Sequence, residues 1–238
     1  MAFEPGNRFT ARSSAIPQVD IDVGLRTHML SVYNYMMLGL AITGLVAYFA
    51  ASTGFYASIA RTPLIWVVML APLAFVLVLS YGIQRLNLGT AQLLFWAFSA
   101  VMGLSLSAIF LVYTGTSVAR VFFITSGTFA GMSLYGYTTK RDLTSMGSFM
   151  FMGLIGILIA SLVNMFVQSS ALDFAISVIG VLVFVGLTAW DTQRIKESYS
   201  ETDGDVIAGK KAIFGALSLY LDFINLFMML LRLFGDRR

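Results

Sequence analysis

Asp222 stands inside residues 212–231, an apolar run otherwise long enough to cross a bilayer as a helix. An Asp at the centre of a membrane helix costs about 2.5–3.5 kcal/mol, so such a side chain usually faces water, an ion path or a partner charge. Lys211, Gly215, Ser218, Asp222 and Asn225 recur at helical spacing and share one stripe, while Phe214, Leu217, Leu221, Phe223 and Leu231 take the other positions. A polar stripe on a greasy helix turns to protein or water rather than to lipid. Gly215, Ser218 and Asn225 are therefore expected to face a pore, and the last helix to lie centrally.

Two more charges end apolar runs on the same predicted side: Asp191, in Thr188-Ala-Trp-Asp-Thr-Gln-Arg194, and Arg85, in Ser80-Tyr-Gly-Ile-Gln-Arg85. Asp222 lies about 11 residues, or roughly 16 Å, into a helix that starts from that side. The two carboxylates meet if this helix begins outside the membrane plane, which the polar stretch 201–211 permits. Held close, they cannot both ionise cheaply and would titrate as one unit. Such a pair is a proton sensor, and its oxygens make an incomplete cage that would hold Ca²⁺ weakly and transiently. The plainer alternative is structural: Asp191 ends its helix beside water, Arg85 snorkels to the interface, and Asp222 ties helices together through Arg85 or Asn225.

These residues sit in a chain that is 58% hydrophobic and 11% charged, against roughly 25% charged in soluble domains. It reads as an all-α membrane protein. Charge-free runs of helix-crossing length recur at 29–51, 63–83, 89–113, 121–137, 146–167, 174–190 and 212–234. They predict seven transmembrane helices in one membrane domain, residues 29–238, preceded by a flexible cytoplasmic tail over 1–28 with no apolar core of a signal peptide. Pro72 is expected to kink the second span, and His28 to lie at the surface where the tail meets the membrane. With no cysteine, disulfides and thiolate metal sites are excluded. No nucleotide, zinc or nucleophile motif is present, so no enzyme and no tightly bound cofactor is expected. The net charge of +3 fits membrane topology better than nucleic-acid binding.

Arg8, Arg12 and Arg26 precede the first span, and Arg85, Lys140, Arg141, Arg194, Lys196, Lys210 and Lys211 fall on the same side if the spans alternate. The other side receives Arg61 and Arg120, which places the N-terminus in the cytoplasm. Arg232, Arg237 and Arg238 break this pattern. The last segment either crosses despite them or folds back as a re-entrant helix.

The segment Ala216-Leu-Ser-Leu-Tyr-Leu-Asp-Phe-Ile-Asn-Leu-Phe227, with Leu230-Leu-Arg-Leu-Phe-Gly235 after it, resembles the C-terminal signature of the Bax inhibitor-1 family. Trp190-Asp-Thr-Gln-Arg-Ile195 resembles that family's other Asp-bearing motif, and Val32-Tyr-Asn-Tyr-Met36 with Gly39 and Gly44 its bacterial branch. The resemblance implies six helices in two triple-helix layers around a central seventh, and a pH-sensitive calcium leak. It also implies that Asp191 and Asp222 are the paired aspartates and Arg85 the latch, with protonation freeing the latch and favouring opening. Its substrates would be Ca²⁺ and protons, in the inner membrane of a bacterium. The alternative is a non-conducting regulator that binds membrane proteases or stress-response proteins, and a third reading is proton-coupled transport of a small solute.

Overall fold

The computed structural model describes residues 18–238, so the first part of the predicted tail lies outside the described residues. Nine helices carry this stretch: α1 (Gln18–Ser52), α2 (Phe55–Ala60), α3 (Leu64–Gly82), α4 (Leu88–Leu106), α5 (Ala108–Val112), α6 (Gly115–Thr138), α7 (Thr144–Val167), α8 (Ser170–Ser198) and α9 (Asp205–Phe234). Among the described residues the sole β-type pairing is an isolated bridge between Tyr113 and Arg237. Side-chain caps mark three of the starts. Asn87 accepts the Thr90 N–H at 2.7 Å, Thr114 that of Ser117 and Ser169 that of Leu172, relieving amide groups that an isolated helix end leaves unpaired.

Six stretches are long and apolar enough to cross a membrane: 23–52, 64–82, 88–112, 144–167, 170–198 and 205–234. The expected span at 121–137 is helical but is not among them. Its hydroxyls lower its hydropathy, and several turn inward: Ser117, Thr125 and Ser133 are buried, and Thr125 Oγ1 donates to Val121 O at 2.8 Å. The expected span at 89–113 is divided at Ser107 into α4 and α5, where the Ser107 hydroxyl returns to Gly103 O at 3.0 Å. α3 runs unbroken through Pro72. Residues 18–28, read from the sequence as tail, form the start of α1, and His28 is buried against the Tyr199 ring rather than exposed.

α4 packs between α1 and α3, α8 between α6 and α7, and α9 packs on α8, α1, α6, α4 and α3. Along its most apolar stretch 72% of α9 is buried, against 44% for α8 and 6% for α7, so α9 is the core helix. Its greasy positions are as enclosed as its polar ones, with Leu217, Phe223 and Leu231 all buried. The half-exposed face runs instead along Lys211, Phe214, Ser218, Leu221, Asn225 and Met228.

The re-entrant alternative does not hold. α9 starts where Lys210 Nζ donates to Gln84 O at the end of α3, and finishes where Arg238 N donates to Val112 O and Thr114 N to Asp236 O. Those two places are the opposite ends of the α4–α5 segment, so α9 traverses the whole bundle. Of the basic residues that strained the charge pattern, Arg232 is engaged locally, and the nearby Arg120 is paired as well. Arg232 lies 3.7 Å from Asp173, and Asp236 accepts from Arg120 at 2.7 Å.

Candidate functional site

α8 and α9 cross closely because Gly215 has no side chain: a Cβ there would meet Ile195 carbons at 3.1–3.2 Å. One turn before Ile195 on α8 is Asp191, and two turns beyond Gly215 on α9 is Asp222. The crossing brings their carboxyl groups into hydrogen-bonding contact, side chain to side chain. Asp222 is 5% exposed, and its Oδ2 meets no ordinary donor among the described residues. A carboxylate only accepts, so two carboxyl groups bond to each other only when one carries a proton. The geometry thus asks for one proton shared between α8 and α9, and the pair must titrate as a unit.

Asp191 forms part of the wall of a cavity of about 530 Å³ between α3, α8 and α9, whose lining includes Ser80, Gln84, Arg194, Gly215 and Ser218. Asp222 lies behind Asp191, away from the lining. Cations surround the mouth. Lys210 reaches Gln84 O at 3.2 Å, and Lys211 binds Asp203 and donates to Ser198 O at 2.8 Å, closing the last turn of α8. Arg194 follows Asp191 on α8, stacks 5.4 Å from the Trp190 ring centre, and is the basic group that acts on the Asp191 carboxyl.

Arg85 is elsewhere. It lies exposed in the turn after α3, and its side chain makes no ion pair or hydrogen bond among the described residues. Its neighbour Gln84, not Arg85, borders the cavity. The pore-facing stripe divides as well. Gly215 and Ser218 line the cavity, whereas Asn225 lies farther along α9 and donates to its own helix at Leu221 O, 2.8 Å away. Among the described residues no three or more His, Asp or Glu side chains gather as a metal site, so any cation at the pair would meet two carboxylates.

Comparison with known proteins places this geometry. The model of the family described as Inhibitor of apoptosis-promoting Bax1 matches residues 25–238. The chain belongs to this family, the Bax inhibitor-1 family. An uncharacterised protein of Rickettsia prowazekii is 54% identical over 218 residues, which cover 91% of this chain and 92% of the relative. The inner membrane protein YbhL of Escherichia coli is 50% identical over 219 residues, 90% of this chain and 94% of YbhL. An uncharacterised protein of Caulobacter vibrioides is 46% identical over 98% of each chain. With six helices fit to cross a bilayer, this member of the family is an integral membrane protein.

Sequence reasoning missed a second polar centre. Tyr220 is fully buried, and its hydroxyl lies 2.7 Å from that of Thr43, which also donates within reach of Ser99 O and Gly39 O. This ties α1 and α4 to α9. The signal was available, because a tyrosine buried in a core helix needs a partner for its hydroxyl. Arg194 and Lys210 were likewise read as loop charge when they border the cavity.

Proposed function

We propose that the protein is a pH-sensitive calcium leak pathway, and that the proton shared by Asp191 and Asp222 sets its conductance. The observation that carries this reading is the carboxyl–carboxyl contact behind a cavity of about 530 Å³, in a membrane helix where charge is otherwise costly. In this reading seven helices cross, six of them in two layers of three (α1, α3, α4 and α6, α7, α8) around α9. The membrane is the inner membrane of a bacterium, as the name of YbhL suggests, with the N-terminus in the cytoplasm.

The arrangement of the pair suits the protonated, unlatched state. One proton lets the carboxyl groups satisfy each other, and Arg85 has no reason to enter. When that proton leaves, two like charges face each other in a buried place, and each gains from a guanidinium. Arg194 lines the cavity, and Arg85 follows Gln84 at its edge. Drawing Arg85 inward would close the cavity mouth between α3 and α8. A contact of about 1–3 kcal/mol is enough to move a two-state equilibrium by one to two decades. Acid pH therefore favours the leak, and Ca²⁺ passes as the transported ion, held briefly by the pair.

The test is Ca²⁺ entry into liposomes carrying the full chain at pH 6 and pH 8. Wild type should leak faster at the lower pH, while Asp222→Asn should show the same flux at both. A variant that keeps the wild-type pH ratio removes the pair from the mechanism. If neither protein raises flux above empty liposomes, the leak itself is wrong and a non-conducting regulator is the better reading.

A further inference from the structure

On the far side of α9 from the carboxyl pair, α1 and α6 both pack on α9 while their backbones stand apart. Between them lies a groove of about 1250 Å³, floored by Phe223 of α9. It follows α1 from Arg26 to Leu45, which is about 28 Å by helical rise. That is nearly the thickness of the hydrocarbon core. The walls are apolar and adaptable, with Met29, Met36 and Met37 on one side and Phe129 and Leu134 on the other. Gly44 leaves the far end wide, since a Cβ there would meet no atom within 4 Å.

The two ends differ. One is lined by aliphatic and aromatic side chains; the other carries Arg26, Tyr33 and Tyr137. Arg26 is exposed. Lys196 lies against Tyr137, 5.3 Å from its ring centre and donating to Tyr137 O at 2.9 Å. Tyr33 is fixed by a hydroxyl chain through Ser133 to Thr192, the last step being 2.9 Å. An apolar channel of membrane depth that carries an exposed guanidinium and two tyrosines at one end has the chemistry of a phospholipid site. The tyrosines suit the headgroup level, and the guanidinium suits an anionic phosphate.

We propose that the α1–α6 groove holds one anionic phospholipid, an acyl chain along the methionine wall and its phosphate on Arg26. The full chain is reconstituted in phosphatidylcholine bilayers with trace spin-labelled phosphatidylglycerol or spin-labelled phosphatidylcholine, and the immobilised fraction of each is measured by electron spin resonance. Wild type should favour phosphatidylglycerol about fivefold, the effect of one basic residue at a membrane surface. Arg26→Gln should bring the ratio close to one, and Arg26→Lys should restore most of it. Gly44→Leu, which fills the groove without touching the charge, should reduce the immobilised fraction of both lipids, and thermal unfolding would confirm that each variant is folded. Equal immobilisation of the two lipids by wild type overturns the proposal, as does a preference that survives Arg26→Gln. Cross-linking that finds a second copy of the chain seated in the groove also overturns it.

Discussion

The end and the interior of the α8–α9 pair handle charge in opposite ways. At the end where α9 finishes, every acid near the interface has a cation: Asp173 faces Arg232, and Asp236 faces Arg120. These groups are well exposed, with side-chain exposures of 36–40% and 55–70%. There the backbone adds its own ties through the Tyr113–Arg237 bridge and the Ser117 hydroxyl, which accepts from Asp236 N at 2.9 Å. In the interior of the pair Asp222 is buried and has Asp191 for company. The first arrangement anchors a helix end and is screened by water and salt. The second exchanges a proton or moves. A bundle that needed only stability would have no use for it, since a buried acid facing another acid is costly to keep.

The widest gap between the two regions should appear on removing a carboxylate. Asp222→Asn is expected to abolish a pH response of one to two decades in liposome flux, whereas Asp236→Asn should leave the response as it is. A change in pH ratio from the second variant would break the contrast. Next in size is a pair of glycine substitutions at the two crossings of the same helices. Gly215 faces Ile195, and at Gly180 a Cβ would meet Met229 atoms at 2.9 Å. Crowding either site should cost about 1–3 kcal/mol in unfolding. Gly215→Val should also alter the pH ratio of flux by separating Asp191 from Asp222, while Gly180→Val should not.

Tyr220→Phe removes one hydroxyl from the Thr43 centre. Thr43 keeps Ser99 O and Gly39 O as acceptors, so a loss of about 1 kcal/mol in denaturant unfolding is expected, with pH response intact. Arg120→Ala, at an exposed pair, should lower stability by less than about 1 kcal/mol and less still in high salt. The smallest effect belongs to Asp142, in the loop between α6 and α7. Its carboxylate accepts the Thr144 N–H at 2.8 Å, and the hydrogen bonds from Thr144 hold its pKa below the usual carboxylate value. Its contribution is complete above the ordinary carboxylate range and is lost as pH falls through its lowered folded value. The melting-point difference between wild type and Asp142→Ala should accordingly shrink on acidification below that range.

Much of this was legible because lipid imposes a simple rule: backbone groups must be satisfied within the helix, so apolar runs of the right length declare themselves. The runs that became α3, α7, α8 and α9 did so. α6 was harder, since its hydroxyls depress hydropathy and yet are satisfied by their own backbone or by neighbours such as Tyr33 and Thr192. Asp222 stood out for the reason that made it costly. What hid Arg194 was its place just past an apolar run, where solvated charge is the ordinary expectation, while Arg85 stands exposed in the turn after α3. Sequence spacing fixes how far along a helix a charge lies but not which way a turn after that helix points it.

By itself the chain determined a membrane bundle with a burdened last helix, because composition, run length and a lone acid in an apolar stretch are local properties. Only the tertiary structure decided that α9 is the most enclosed helix, that it traverses the bundle, and that Asp191 and Asp222 touch. Those outcomes depend on how two helices cross, and the crossing is set by Gly215 against Ile195, a contact between residues whose meeting no periodicity within either helix contains.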